Sequence, residues 1–387
     1  MSGANLTGYD FTAAPTQTVA YTWSDLGDVI TDPQGYGLPV AAVRLVDAGG
    51  TPVAGYIRFG NSVGSEQYAG ALKYDSGWPP VGTNPAVIPS DLPDGYPFTY
   101  RLSLAASGSK ISLATRDEST IIIRESDSGG AWSANLADGN FGIQGSDTDT
   151  PKEVEIAYLN GELYAAQITS AHQVKVLQWN GSTWAGVGGS GGVITTSGEV
   201  WDLAFENLDG TLYVAYTEDL QGSDGYNDML TIVHWDGSSW QTDITWSQNY
   251  LDFIRLARAN GQLYFFMGTA WMSNFMTGVF KVTGSSTATR ITEGDVAVGL
   301  TGSITVDSAG NLIMMCSTYD PVAVTIVPRI LIWDGATLKQ IEGDYSNQII
   351  GGALRAIGDS IYYVYGVASS KNLQGDPTIL KASKLSP

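Results

Sequence analysis

Short runs of alternating apolar and polar residues recur along this chain, and they meet at Asn-Gly or Asp-Gly pairs. The clearest example lies between Glu153 and Trp184. VEIAYL runs into Asn160-Gly161, ELYAAQ follows, VKVLQW runs into Asn180-Gly181, and Trp184 opens a further run. Alternation with period two gives each strand two distinct faces. Asn-Gly between two such runs is a hairpin signal, because both central residues of the tight turn need positive φ. The stretch predicts a four-stranded antiparallel meander.

The same grammar returns along the rest of the chain. DLAFENLDGTLYVAY leads to TIVHWDGSSW, FIRLARANGQLYFFM to GVFKVTGSS, and SITVDSAGNLIMMC to RILIWDGATL. More divergent copies are VRLVDAGGTPVAGY with ALKYDSGW, RLSLAASGSKISLAT with IIIRESDSGGAW, and ALRAIGDSIYYVY with TILKASKL. The first-turn glycines are Gly50, Gly108, Gly161, Gly210, Gly261, Gly310 and Gly358, separated by 58, 53, 49, 51, 49 and 48 residues. Four short strands in roughly 40–50 residues is the period of a β-propeller. A β-sandwich would not hold one spacing across seven units, and a parallel β-helix has far shorter coils. The expected fold is therefore all-β: one seven-bladed propeller over residues 1–387, with four-stranded antiparallel blades near 38–80, 98–135, 152–187, 199–245, 251–290, 298–342 and 350–387.

The last copy explains how the ring closes. Only 29 residues follow Gly358, enough for a second and third strand but not a fourth. An orphan strand, Thr18 to Trp23 and on through Val29-Ile30, precedes the first repeat. The segment 15–31 is expected to complete the last blade, which removes an open sheet edge.

In such a meander the first and third turns share one end, and the second turn shares the other with the link to the next blade. The first and third turns here are uniformly short. The second-turn loops 60–67, 218–228, 268–278, 317–324 and 368–377 carry the variable length, as do the links 79–97, 133–152 and 185–199. Variable loops on a rigid scaffold are where recognition is usually found. Three of them combine aromatic or acidic side chains: Tyr226 with Asp224 and Asp228, Trp271 with Phe275, and Tyr319 with Asp320. Rings beside carboxylates suit sugars, whose C–H faces stack while their hydroxyls need acceptors. The alternative is that these rings pin the loops to the disc.

Aligning the innermost strands on their turns gives a column of Arg44, Arg101, Glu155, Asp202, Arg255 and Ser303, expected to line the central channel. Three arginines there would either grip an anionic substrate bidentately or balance the carboxylates of the same column. The presence of Glu155 and Asp202 in that column favours the balanced network.

The third turns Asp75-Ser76-Gly77-Trp78, Asp127 to Trp132 and Asp236 to Trp240 resemble the Asp-box of sialidase-like propellers, Ser-x-Asp-x-Gly-x-Thr-Trp. Asp127, Gly129 and Trp132 match in place, while Glu125 stands for the serine and Ala131 for the threonine. In that family the box is structural, so the resemblance implies fold and not activity. Of the catalytic set the family requires, Arg44, Arg101 and Arg255 are candidates for the arginine triad. No local motif supplies the tyrosine nucleophile, its glutamate partner or the acid/base aspartate.

Charge narrows the partners. The formal charge is −20, which repels phosphate backbones and anionic membranes, so no nucleic-acid partner is expected. No run of 18 apolar residues exists, so no membrane insertion is expected. Met1 to Asn5 opens without a basic or apolar leader pattern. The only cysteine, Cys316, ends an apolar strand and reads as core. His172 and His234 lack zinc spacing and read as surface or packing residues. No cofactor is expected. Asp147-x-Asp149 and the Asp224/Asp228 loop have some Ca²⁺-like texture, but neither has the full loop pattern.

These features favour a non-enzymatic recognition or adhesion module that binds a glycan or protein partner through its long-loop face. The Gly/Ser/Thr-rich, cysteine-poor texture resembles a phage tail-fibre or spike component, on a virion or extracellular surface rather than in cytoplasm. The alternatives are a sialidase-like glycoside hydrolase or lyase with a central cleft, and a structural virion or assembly protein.

Overall fold

Each alternating run forms a strand, and each short glycine turn closes a hairpin. The computed structural model describes residues 18–19, 21–30, 40–58, 67–81, 87–88, 102–117, 120–127, 130–137, 153–220, 229–247, 252–268, 278–292, 303–320, 325–341, 349–368 and 378–387. Seven antiparallel sheets follow one another along the chain. Their innermost strands are Val40–Asp47, Leu102–Ser107, Val154–Leu159, Glu199–Leu208, Asp252–Ala259, Ser303–Val306 and Ile349–Ile357, which define blades 1 to 7. Each innermost strand lies against that of the next blade, and that of blade 7 lies against that of blade 1. The ring is closed. At the first turns, Asn160 and Gly161 take φ of 53° and 82°, the left-handed values that their hairpin needs.

The core is divided by blade interface rather than gathered in one place. Ala166 and Val176 of blade 3 pack on Leu203 and Phe205 of blade 4. Ile232 and Trp246 of blade 4 pack on Leu256 and Phe265 of blade 5. The same arrangement continues round to blade 7, where Ala353, Val364 and Leu380 meet Val43, Leu45 and Ala54 of blade 1. Seven such clusters, one for each interface, account for seven blades. A blade sandwiched in this way buries both faces, so its second strand is apolar at successive positions: Leu212 to Tyr216 are all buried. Full burial of each large side chain contributes about 1.5–3 kcal/mol.

The N-terminal stretch completes the last blade, as its spacing predicts. Thr22–Ile30 pairs antiparallel with Thr378–Ser386, with Trp23 opposite Leu385. The stretch also does something the repeat count does not foretell. Thr18 and Val19 run parallel to Gln340 and Ile341, on the outer strand of blade 6. One segment therefore ties two neighbouring blades.

Blade 2 departs from the four-stranded expectation, with three strands among the described residues. Its outer edge is followed by residues 133–136, where the Ser133 and Leu136 amides donate to the Glu125 and Ile123 carbonyls. Between them the Asn135 side chain accepts from the Ile123 amide (2.9 Å) and donates to the Ile121 carbonyl (3.1 Å). A side chain thus satisfies edge groups that a fourth strand would otherwise pair.

Three third turns, among them the Asp-box-like one at Asp236, are held by their own leading side chain. Asn180, Asp236 and Asp334 each accept two turn amides through one side-chain oxygen, at 2.8–3.0 Å. Those amide bonds hold the Asp236 and Asp334 carboxyls well below the ordinary carboxylate range. The tryptophan that follows reaches back one blade: Trp184 Nε1 donates to the Leu136 carbonyl (2.8 Å) and Trp240 Nε1 to the Val187 carbonyl (3.2 Å).

First turns are also knitted to one another. Asn207 Nδ2 donates to the Tyr158 carbonyl, Asn260 Nδ2 to the Gly310 carbonyl, and Ser308 Oγ to Asp359, at 2.6, 3.1 and 2.5 Å. Arg258 pairs with Asp209 at 3.9 Å. The short-turn end of the disc is committed to holding the ring together.

Candidate functional site

The long-loop end is different, and its most distinctive feature lies where blade 4 begins. Glu218, at the end of the second strand of that blade and only 1 % exposed, accepts the amides of Ser197 and Gly198 and the Thr231 hydroxyl. Gly198 is pressed so close that an added Cβ would overlap the Asp219 carbonyl oxygen, so this approach requires glycine. Pairing then proceeds as Glu199 with Asp219 and Val200 with Glu218, and slips: the next pair is Asp202 with Thr217. Trp201 is the extra residue of this β-bulge. Bulges re-aim side chains, and Trp201 is turned outward, 38 % exposed. Together with Leu220, at the end of the facing strand, it is one of two exposed large hydrophobic residues among the described residues.

Blade 3 supplies the neighbour. His172 sits in the short second turn of that blade with φ of 55°, a left-handed conformation that costs a side-chain-bearing residue roughly 1–2 kcal/mol. Its carbonyl accepts the Val200 amide at 3.0 Å. Its ring leans on Trp201, with centroids 5.5 Å apart and planes tilted by 53°. His172 Nδ1 lies 4.0 Å from Glu199 Oε2, beyond hydrogen-bond reach. The result is an indole, an imidazole and a half-exposed carboxylate at one point on the rim.

A second constellation surrounds the axis. Glu155 of blade 3 pairs with Arg44 of blade 1 at 3.6 Å and with Arg255 of blade 5 at 3.8 Å. Both arginines also donate to main-chain carbonyls, Arg255 to Ile254 at 2.7 Å and Arg44 to Val43 at 3.4 Å. Glu206 of blade 4 and Arg355 of blade 7 belong to the same field, and neither stands out in the turn-aligned column. Burial pushes the Glu206 carboxyl up to about 7, against the pull of Arg355 and Arg44 and with repulsion from Glu155. The Glu206 side chain is partly exposed. Glu206 pairs with Tyr213 and Arg355 with Tyr362, two positions from their first hairpin turns, so both stand in the short-turn half.

Asp202 has a different part. It is 1 % exposed, and its carboxylate accepts the Leu203 amide (2.8 Å) and, from the next blade, the Ile254 amide (3.2 Å). Ser303 similarly exchanges hydrogen bonds with the Leu354 amide and carbonyl of blade 7. Of the other expected site residues, Arg101, Asp224, Tyr226, Asp228, Trp271 and Phe275 lie outside the described residues. Tyr319 and Asp320 end the strand Leu312–Asp320, opposite Ile326 and Thr325. His234 is bonded to Asp243 at 2.7 Å beside Tyr213, between the outer strands of blade 4. Among the described residues no group of His, Cys, Asp and Glu is placed to hold a metal ion. No helix there is long and apolar enough to cross a membrane.

No family model and no curated protein matches the chain. Solved structures do. A polysaccharide lyase, Uly1, is 10 % identical with a TM-score of 0.55, covering 100 % of this chain and 94 % of that one. A protein of unknown function from Dyadobacter fermentans DSM 18053 is 13 % identical with a TM-score of 0.53, covering 94 % and 99 %. At these identities the likeness shows the propeller fold alone.

Proposed function

We propose that this chain is a carbohydrate-recognition module that works through the long-loop end of its disc and performs no chemistry itself. The observation that carries the reading is Trp201: a bulge exposes an indole at the mouth of the ring and stacks it beside His172 and Glu199. Aromatic rings with one wet and one apolar side are enriched at binding surfaces. The short-turn end is occupied by its own turn-to-turn bonds. Near the axis, Arg44 and Arg255 are engaged by Glu155 and by main-chain carbonyls, which favours the balanced arrangement over an open anion grip. Such a module would serve as a receptor-binding part of a virion or other outer surface.

The hydrolase or lyase reading is favoured by one observation, Glu206. A carboxyl near pH 7 beside a second glutamate has the chemistry of a general acid. Its place in the short-turn half, away from the long-loop mouth, weighs against it. A glycan array probed with the full chain, followed by product analysis of every bound glycan, separates the two. Binding without released product is expected. Cleavage that Glu206→Gln abolishes would make this an enzyme, and an array with no bound glycan would end the carbohydrate reading.

A further inference from the structure

We propose that Asn160 is a site of spontaneous covalent modification, which deamidates through a succinimide to aspartate and isoaspartate, while the fold shields the two other Asn-Gly pairs of the chain. Asparagine is thermolabile, and most so before glycine, where no Cβ hinders the approach of the following amide nitrogen. The three pairs are Asn160-Gly161, Asn180-Gly181 and Asn260-Gly261. All six residues are exposed and lie in short turns, so sequence and exposure rank the pairs equally.

What separates them is the hold on the asparagine side chain. Asn180 Oδ1 accepts the Ser182 and Thr183 amides at 3.0 and 2.9 Å, and Nδ2 donates to Thr183 Oγ1 at 3.0 Å. Its carboxamide is pinned at both ends to the turn ahead of it. Asn260 Nδ2 donates to the Gly310 carbonyl of blade 6 at 3.1 Å. The two turns pack so closely that a Cβ on Gly310 would overlap Asn260 Oδ1. Blade 3 repeats this turn without the clasp. The glycine that corresponds to Gly310 one blade beyond Asn160 is Gly210, and a Cβ there would meet nothing within 4 Å. A Cβ on Gly161 would also point into open space. Contact between these two turns is made from the other side, by Asn207 Nδ2 on the Tyr158 carbonyl. Among the described residues no hydrogen bond engages the Asn160 carboxamide. The ladder pairs Leu159 with Glu162, so the Gly161 amide lies in the loop, outside strand pairing.

The reaction needs only water. The Gly161 nitrogen gives up its proton to hydroxide and attacks Asn160 Cγ. The new C–N bond closes the succinimide ring, and the side-chain nitrogen leaves as ammonia. Water then adds to one ring carbonyl and breaks its bond to the ring nitrogen. Opening at Cγ gives aspartate on an unchanged backbone. Opening at the main-chain carbonyl gives isoaspartate, whose backbone runs through Cβ and Cγ and is one atom longer. A tight hairpin turn is matched to the twist of its strands and has no slack for that atom. The strand it closes carries Glu155, which pairs with Arg44 and Arg255, so the lesson of such a change would be read as a weakened ring.

The test holds the intact chain for weeks in warm, mildly alkaline buffer. The protein is then digested and mapped by mass spectrometry with electron-transfer fragmentation, which tells isoaspartate from aspartate. Conversion at Asn160 should exceed that at Asn180 and at Asn260 by at least about fivefold. In urea, where the clasps are gone, the three should convert at similar rates. Asn160→Asp supplies the new charge without the extra atom and should melt with the parent, whereas the isoaspartate fraction of the aged parent should melt lower. A folded chain in which Asn160 converts no faster than the other two would overturn the proposal. So would a preference for Asn160 that persists unchanged in urea, because the fold would then not be its cause. An isoaspartate fraction as stable as the parent would overturn the stated consequence for the ring.

Discussion

The Ile254 amide donates to the carboxylate of Asp202, one blade back and 52 residues earlier, at 3.2 Å. The bond is one of a series. The Ile156 amide donates to Ser103 Oγ (2.9 Å), the Leu203 amide to Glu153 (3.0 Å), and the Leu354 amide to Ser303 Oγ (3.0 Å). Inner strands of successive blades are not paired as a sheet, so amides facing the preceding blade need side-chain acceptors. A polar side chain on or beside the inner strand of blades 2, 3, 4 and 6 provides one. Asp202→Ala should leave a buried amide with one acceptor fewer and cost on the order of 1–3 kcal/mol, read as a lower urea midpoint. Asp202→Asn keeps an oxygen there and should recover most of the loss. Equal stability of the alanine variant and the parent would show the bond to be dispensable.

Closure of the ring makes a second, larger prediction. Val29 is buried in the interface between blades 7 and 1, and Trp23 packs against the interface between blades 6 and 7. Removing residues 1–31 would uncover Leu380 and Leu385, both 0 % exposed, together with an unpaired strand edge. Such an edge templates aggregation. The truncated chain should elute as aggregate, or melt well below the parent. A monomer with the parent's melting temperature would mean the segment is not what closes the ring.

Glycine at the edge of blade 3 can be tested by comparison. Gly181 and Gly192 have nearly the same φ, 96° and 91°. A Cβ on Gly181 would point into open space, whereas one on Gly192 would overlap the Val176 carbonyl oxygen. Gly181→Ala should cost only the left-handed strain, roughly 1–2 kcal/mol. Gly192→Ala adds overpacking, typically another ~1–3 kcal/mol. Thermal melts of the two variants isolate the clash, and equal losses would refute it.

What was legible in the sequence follows from how local each feature is. Hairpins are written in adjacent residues, so Asn160-Gly161 and Asp209-Gly210 reveal their turns, and regular repetition of such turns reveals the ring. The closing strand was legible by counting, because the chain after Gly358 is one strand short. The further pairing of Thr18 and Val19 with blade 6 was not, since two residues carry no periodicity. Trp201 was hidden for a different reason. In unbroken alternation it would share the face of Leu203 and Phe205, which is buried against blade 3. Val200 occupies that face instead, because the bulge reverses parity at Trp201. The bulge depends on Gly198 and Glu218, about twenty residues apart, a contact no local pattern reports. His172 likewise takes a left-handed turn without the glycine that would advertise it. Glu206 and Arg355 stand at a height on their strands that alignment to the column of Arg44 and Glu155 does not sample.

Glu206 supplies the pH dependence. Its carboxyl is raised from an ordinary value of 4.5 to about 7, because burial disfavours the ionised form more than Arg355 and Arg44 favour it. Below pH 4.5 the group is protonated whether the chain is folded or not, and it contributes no slope. Between 4.5 and 7 the unfolded chain ionises while the folded one holds its proton, so the folded state binds more protons and loses stability as pH rises. The loss is at most about 1.4 kcal/mol per pH unit, less where water in the channel screens the charge. Above 7 both states are ionised and the slope from this group ends. Asp236 and Asp334 work in the opposite sense, since their carboxyls are held low by turn amides, and they lend support that is lost only as pH falls below the ordinary carboxylate range. Glu206→Gln replaces the carboxyl with a neutral isostere. It should therefore raise stability at pH 8, leave it nearly unchanged at pH 4, and flatten the profile between. Denaturant titrations of parent and variant at intervals from pH 4 to 8 measure this directly. A variant that tracks the parent at every pH would mean that Glu206 is ionised at little cost in the folded ring, and would remove the basis for treating it as a proton donor.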